Sequence, residues 1–152
     1  MTAGSHATSL AQPDHRRSLH DPAHCIQRVA DAITAHDLDA LTACFAPDYR
    51  SEFPAHPARA FQGHAMLGAN WSQFFQLVPD ISTAIVRLVA DDDVIWVEWE
   101  WQGTRGDGAP FLQRGVAVQH IQDEQIDWVR LDVEPVQPDD HPPVLVTPSE
   151  AA

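Results

Sequence analysis

The sequence has few basic residues, few cysteines and no long apolar segment, and each scarcity excludes a class of protein. Nine basic residues oppose twenty-two acidic ones among 152, which leaves a formal charge of −13. A chain this acidic argues against nucleic acid or an anionic membrane as its partner. No run of about eighteen apolar residues occurs, so no membrane-spanning segment is predicted. The N-terminal text lacks the apolar core of a signal peptide, which predicts a cytoplasmic protein.

The two cysteines and nine histidines match no metal-binding or redox motif. Cys25 and Cys44 stand apart in helix-like segments, which is typical of reduced, packed thiols. The histidines form neither an HxH nor an HExxH pattern, and His56 and His64 do not have a known ligand spacing. We therefore predict neither a metal nor another cofactor.

The chain has the length of one domain, flanked by two segments without periodicity. Residues 1–20 are polar and rich in small side chains, and they are predicted to form a mobile tail. Residues 137–152 are rich in proline and are predicted to be loose. The folded domain is predicted to span residues 21–136.

Within this domain the hydrophobic pattern changes from helical to strand-like. Asp21 followed by Pro22 predicts a helix start, and apolar residues then repeat at steps of three and four. A short helix from Asp37, a brief strand at 49–53 and a third helix from Gly63 follow. Four segments with a period of two come next, joined by short polar turns, at 81–90, 94–102, 111–121 and 126–134. Helices followed by an antiparallel meander indicate an α+β fold.

The second of these strands has the most unusual sequence in the chain. The string DVIWVEWEWQG, at 93–103, alternates Glu98 and Glu100 with three tryptophans. Alternation with a period of two predicts a strand whose two faces meet different surroundings. The carboxylates then either rim a surface or project into a cavity.

This order of elements, with several local strings, resembles the SnoaL-like families of the nuclear transport factor two superfamily. The strings are HDLDALTACFAPDY, FQGHAMLGANWSQFFQLVPDI, EWQGTRGDG and VQHIQDEQIDWVRLD, and the resemblance spans roughly residues 22–136. It implies a cone, in which N-terminal helices pack in a strongly curved, mainly antiparallel sheet around one deep pocket. It also implies a homodimer formed through the outer sheet face, with Trp99 and Trp101 as the contact residues. The superfamily hosts several chemistries as well as non-catalytic modules, so the fold alone selects no reaction.

The chain departs from each catalytic pattern of the superfamily. A ketosteroid-isomerase-like site requires an aspartate before a proline, where this chain has Phe53, and a tyrosine on the first helix, which Tyr49 is not. The epoxide hydrolase pattern requires Arg-x-Asp where this chain reads Glu-Trp-Glu at 98–100. The acid of the cyclases is expected at Leu131, whereas Asp132 comes one residue later. Asp132 would face the pocket only if a bulge shifted the register of the last strand.

Pairing the strands through their short turns predicts which residues share a face of the sheet. By analogy with the cyclases, the face that carries position 131 is taken as the concave face, which lines the cavity. The residues assigned in this way are Trp96, Glu98, Arg114 and His120. We hypothesise that Glu98 is a general base and that Arg114 stabilises an enolate or oxyanion. Trp96 and His120 are predicted to contact the substrate. The alternative is a cross-strand ion pair without chemistry.

Further site residues come from other segments. A cluster of Arg130, Asp132 and Glu134 is the second choice for catalysis, with a solvated or dimer-facing edge as the alternative. His56 lies between two prolines in a loop predicted to cover the mouth of the cone, where a histidine can move protons. It is equally compatible with a plain surface position. Trp71 and Tyr49 are predicted to bind the substrate.

The sequence thus predicts a cofactor-independent acid/base enzyme of the cyclase, isomerase or dehydratase type. Its substrate would be a small apolar metabolite that is cyclic or bears a carbonyl. Two alternatives remain open: a non-catalytic ligand-binding or dimerisation module, and an epoxide-hydrolase-like enzyme.

Overall fold

The computed structural model describes residues 21–137, which form three α-helices and six β-strands. The predicted tails at 1–20 and 137–152 lie outside the described residues, apart from position 137. The helices and strands, in chain order, are α1 (Pro22–Ala35), α2 (Leu38–Ala43), β1 (Phe45–Glu52), β2 (Phe61–Gln62), α3 (His64–Leu77), β3 (Ser82–Asp91), β4 (Val94–Thr104), β5 (Pro110–Gln122) and β6 (Gln125–Pro135). A single 3₁₀ turn, Pro57–Arg59, lies between β1 and β2.

The helices begin where local capping groups are available. The Asp21 carboxylate accepts a hydrogen bond from the backbone N–H of Ala23, and Pro22 occupies the first turn of α1, where its missing N–H costs nothing. Asp37 caps α2 in the same way through the N–H of Ala40. No helix within residues 21–137 is long and apolar enough to cross a membrane.

The strands form one open, mixed sheet in the order β2-β1-β6-β5-β4-β3. Strands β3 to β6 are the predicted antiparallel meander, and their bounds differ from the predicted ones by one or two residues. Strand β1 joins the meander by pairing in parallel with β6. The prediction of an α+β cone, with N-terminal helices packed in a mainly antiparallel sheet, is confirmed.

The face assignment of β4 was wrong, because its tryptophans at 99 and 101 point into the molecule. Trp99 and Trp101 are buried together with Ile95 and Val97, whereas Trp96 is 52% exposed on the outer face. Trp99 and Trp101 therefore cannot be the contact residues of a dimer formed through the outer face. Homodimerisation itself stays a prediction, which sedimentation of the intact chain can check.

One β-bulge explains the inverted faces. Ile121 of β5 pairs with Ile126, but His120 pairs with Trp128, so Asp127 is an extra residue on β6. An extra residue turns all later side chains of a strand to the opposite face. Leu131 consequently shares its face with Ala117, its partner on β5, rather than with Val116. The hairpin pairing predicted without the bulge placed the even-numbered residues of β4 and β5 on the cavity side.

Candidate functional site

A cavity of about 1080 Å³ lies between the helices and the inner face of the sheet. Its wall is mostly apolar and combines side chains from α1, α3, the loop before β2 and strands β1, β2, β4, β5 and β6. Trp71 lies in this wall as predicted, where its ring meets that of Trp101 edge to face at 5.4 Å. The other apolar lining residues include Ile33, Phe45, Phe53, Phe61, Phe74, Trp99, Leu131 and Val133.

Three polar side chains lie at the inner part of the cavity wall. Ser51 and Gln119 are each only 3% exposed, and Tyr49 is 2% exposed. Burial raises the pKa of the Tyr49 phenol to about 12, although a hydrogen bond with Ser51 acts in the opposite direction. Tyr49 is therefore a neutral hydroxyl at physiological pH, able to donate or accept a hydrogen bond but not to act as a phenolate base.

The raised pKa of Tyr49 predicts a loss of stability at alkaline pH. In the unfolded chain the phenol ionises near pH 10, whereas the folded pKa is about 12. The stabilisation is complete below pH 10 and is lost as the pH rises towards 12, because the unfolded state ionises first. Between pH 9 and 11 we expect the wild type to lose about 1 kcal/mol more of its unfolding free energy than Tyr49→Phe.

Denaturant titrations of both proteins at the two pH values measure this difference. Ionisation of Cys25, whose pKa burial raises to about 11, contributes equally to both proteins and cancels. Equal alkaline losses in the two proteins would contradict the assignment of a buried, neutral phenol.

At the mouth of the cavity, one carboxylate lies between an imidazole and a guanidinium. Glu134 lines the cavity, and its Oε1 is 2.9 Å from Nε2 of His56 and 3.4 Å from Nη1 of Arg59. A tight turn supports both partners, because the N–H of His56 donates to the carbonyl of Phe53 and the N–H of Arg59 to that of His56. His56 thus lies beside the mouth, as predicted, and reaches the cavity through Glu134.

Most residues predicted to form the catalytic centre lie on the outer face instead. Glu98 and Trp96 are exposed there, as are Arg114 and Asp132, and none of the four lines the cavity. The physical reason is the bulge at Asp127, which reverses the faces relative to β6. The predicted placement of these side chains in the pocket is wrong, and the catalytic roles that depended on it have lost their structural basis.

Two of the cross-strand polar pairs on the outer face involve residues that the sequence assigned to the cavity. Arg114 donates from Nε to Glu100 at 2.7 Å, so the ion pair predicted for Glu98 forms with its neighbour two residues along the strand. His120 was predicted to contact substrate in the pocket. It lies instead on the outer side, where its Nδ1 is 2.6 Å from the carboxylate of the bulged Asp127.

Several residues of the cavity are not predicted from the sequence. Arg59 was not singled out, although it follows His56 in the same proline-bounded loop. Gln119 lies on the same face of β5 as Ala117 and Ile121, which are both buried. A polar residue in this row of apolar positions was the signal that could have identified it. Ser51 gave no comparable signal. Glu134 had been grouped with Arg130 and Asp132, but it alone of the three lines the cavity.

Within residues 21–137, no group of three or more His, Cys, Asp or Glu side chains is arranged to hold a metal ion. Cys25 and Cys44 are free, buried thiols, and burial raises the pKa of both. The absence of a cofactor stays a prediction.

The sequence profile of the SnoaL-like domain matches residues 26–129. The chain belongs to the SnoaL-like family. The predicted resemblance is thereby confirmed for the greater part of the described domain. A comparison with curated proteins finds no match to this chain.

Solved structures share the fold of this SnoaL-like protein at low sequence identity. IdmH, a proposed polyketide cyclase from Streptomyces antibioticus, is 18% identical with a TM-score of 0.67, over 76% of this chain and 93% of its own. An epoxide hydrolase of the LEH-like type from M. tuberculosis is 16% identical with a TM-score of 0.62, over 72% and 79% of the two chains. A protein from Catenulispora acidiphila with a ketosteroid isomerase-like fold, solved with trimethylamine, is 17% identical with a TM-score of 0.62, over 70% and 82%. Identities this low establish the fold alone.

Proposed function

We propose that this SnoaL-like protein is a cofactor-independent acid/base enzyme that acts on a small, largely apolar metabolite with a carbonyl group. The reaction would be a cyclisation, isomerisation or dehydration that begins with removal of a proton next to the carbonyl. The observation that carries this proposal is a carboxylate, Glu134, on the wall of a mostly apolar cavity of metabolite size.

The roles first predicted for Glu98 and Arg114 suit Glu134 and Arg59 better. In this scheme the Glu134 carboxylate accepts the α-proton, which leaves an enolate on the substrate and a carboxylic acid on the protein. Arg59 also lines the cavity, and its guanidinium would stabilise the negative charge that develops on the enolate oxygen. His56 holds Oε1 of Glu134 at 2.9 Å, so it orients the base and can relay its proton to water.

A non-catalytic binding module is the second candidate, and one observation favours it. Among the residues at 21–137 that line the cavity, only Arg59 and Glu134 are charged, and both side chains are about half exposed. Water that reaches the mouth weakens electrostatic catalysis there. The epoxide-hydrolase-like alternative has less support, because that chemistry requires a cluster of charged groups inside the pocket.

Exchange of substrate protons with solvent tests the enzyme proposal before the natural substrate is known. Proton NMR in D₂O would follow deuteration next to the carbonyl of cyclic ketones such as 1-tetralone and 6-hydroxy-1-tetralone. We expect the wild type to accelerate exchange of at least one ketone, and Leu131→Trp to reduce the acceleration about tenfold or more by projecting an indole ring into the cavity.

Val116→Trp is the matched control, because Val116 lies on the outer face of β5 and is already 39% exposed. It should retain the exchange rate of the wild type. Binding of the ketones without exchange would instead support the non-catalytic module. The cytoplasmic location and the homodimer remain part of this proposal as predictions for fractionation and sedimentation, respectively.

A further inference from the structure

The inner part of the cavity wall contains polar side chains that proton transfer at the mouth does not use. Within the described chain, Ser51 and Gln119 are the buried polar side chains, and both line the cavity. The Gln119 side chain is 3% exposed, and it lies on the cavity wall. An amide in a buried position is most stable with a hydrogen-bond partner, which a polar group of a ligand in the cavity can supply.

These side chains share one row of the sheet. Ser51 pairs with Val129 on β6, and Val129 pairs with Gln119 on β5. Ser51 and Gln119 therefore flank Val129 on the same face, with their backbones about 9–10 Å apart across two strand spacings. Tyr49 precedes Ser51 by two residues and lies on the same face, where Ser51 limits the rise in the pKa of its phenol.

This row lies far from the carboxylate at the mouth. Glu134 is the fifth residue after Val129 on β6, which corresponds to about 17 Å of strand. A group bound between Gln119 and Ser51 would thus be at the opposite end of a ligand from the carbon that Glu134 deprotonates. The two ends of the cavity can bind different parts of one molecule.

The chemistry of the inner end selects a neutral partner. No charged residue lies in the row, and Tyr49 stays protonated at physiological pH because burial raises its pKa to about 12. An ionised carboxylate or ammonium group placed there would lose its hydration without gaining a counter-charge. A hydroxyl or carbonyl oxygen, in contrast, can exchange hydrogen bonds with the amide and the hydroxyls.

We propose that Gln119, together with Ser51 and Tyr49, forms a neutral anchor that binds a hydroxyl or carbonyl oxygen at the far end of the substrate from its reacting carbon. The anchor sets the direction in which an apolar ligand enters the cavity. It rests on the proposed function for the identity of the reacting end, but binding alone can test it.

Calorimetric binding of three probes tests the anchor directly. The probes are 1-tetralone, 6-hydroxy-1-tetralone and 6-carboxy-1-tetralone, which differ only at the end opposite the ketone. We expect the wild type to bind the hydroxyl probe about five- to tenfold more tightly than 1-tetralone, and the carboxylate probe more weakly than either.

Gln119→Leu should abolish the preference for the hydroxyl probe while leaving the affinity for 1-tetralone within about twofold. Gln113→Leu is the matched control, because Gln113 lines the same cavity on the same strand face, six residues nearer the mouth. It should keep the preference. If Gln119→Leu does not fold, Ser51→Ala provides a second, smaller change. This variant should reduce the preference for the hydroxyl probe to half or less.

The outcomes separate the anchor from the proposed function. A preference that depends on Gln119, without proton exchange in any ketone, would support the anchor and reject the enzyme. Proton exchange with a preference unaffected by Gln119→Leu would overturn the anchor and leave the enzyme intact. Tightest binding of the carboxylate probe would also overturn it.

Discussion

Glu134→Gln should lower the rate of α-proton exchange, and of turnover once a substrate is known, by about 100-fold or more. Glutamine keeps the shape of the side chain and can still contact His56 and Arg59, but it cannot accept the proton. Affinity for the ligand should change little, because the loss falls on the transition state. Exchange rates and calorimetric affinities measured on the same preparations separate the two effects.

Glu100→Gln is the matched control for this substitution. It makes the same change in a carboxylate that pairs with Arg114 on the outer face, where an exposed ion pair contributes little. Its exchange rate should equal that of the wild type. Glu98→Gln adds the comparison with the hypothesis drawn from sequence. A large loss in Glu98→Gln with none in Glu134→Gln would return the catalytic role to the outer face.

Gly115→Ala should destabilise the fold by about 3 kcal/mol, which lowers the melting temperature by about 10–20 °C. A Cβ on Gly115 would overlap the backbone oxygen of Asp132 and lie 2.6 Å from the Cα of Val133. The obstruction is backbone rather than a flexible side chain, so β5 and β6 would have to separate. Because Glu134 follows directly on β6, we also expect loss of proton exchange in the fraction that remains folded.

Gly68→Ala is the control for the loss of a glycine. Gly68 lies within α3, and a Cβ there would meet no atom within 4 Å. Alanine should stabilise this helix by about 0.5–1 kcal/mol through its higher helix propensity. Thermal and denaturant unfolding of both variants measure the contrast. Equal free energies of unfolding in Gly115→Ala and Gly68→Ala would show that β5 and β6 can accommodate the extra carbon.

The bulge at Asp127 decides which side chains of β6 lie on the inner face of the sheet. The bulge brings Leu131 and Val133 to the inner face. Beyond them, Glu134 pairs with Arg114, whose side chain points outward, yet Glu134 still lines the mouth. Glu134 thus lines the mouth although simple alternation along β6 places it on the outer face.

Local patterns were sufficient to predict the three helices and the four strands of the meander in their order, but not the two-residue strand β2 or the start of β1 at Phe45. The Asp21-Pro22 start of α1, the start of α3 after Gly63 and the four period-two segments each reflect interactions within a few residues of chain. Helix capping and hydrophobic periodicity act over a few residues, so both can be predicted directly from the sequence. The α+β class and the SnoaL-like resemblance followed from the order of these elements.

The sequence by itself therefore determined the fold, the presence of a cavity beneath an aromatic wall and the place of Trp71, Tyr49 and His56 near it. Only the tertiary structure decided that Glu98 points outward and that Glu134, Arg59 and Gln119 reach the cavity. The physical reason is that each strand has two equivalent faces in sequence, and one unpaired residue on β6 exchanges them. Asp127 carries no local signal of that choice, which depends on how β5 and β6 pair across the whole sheet.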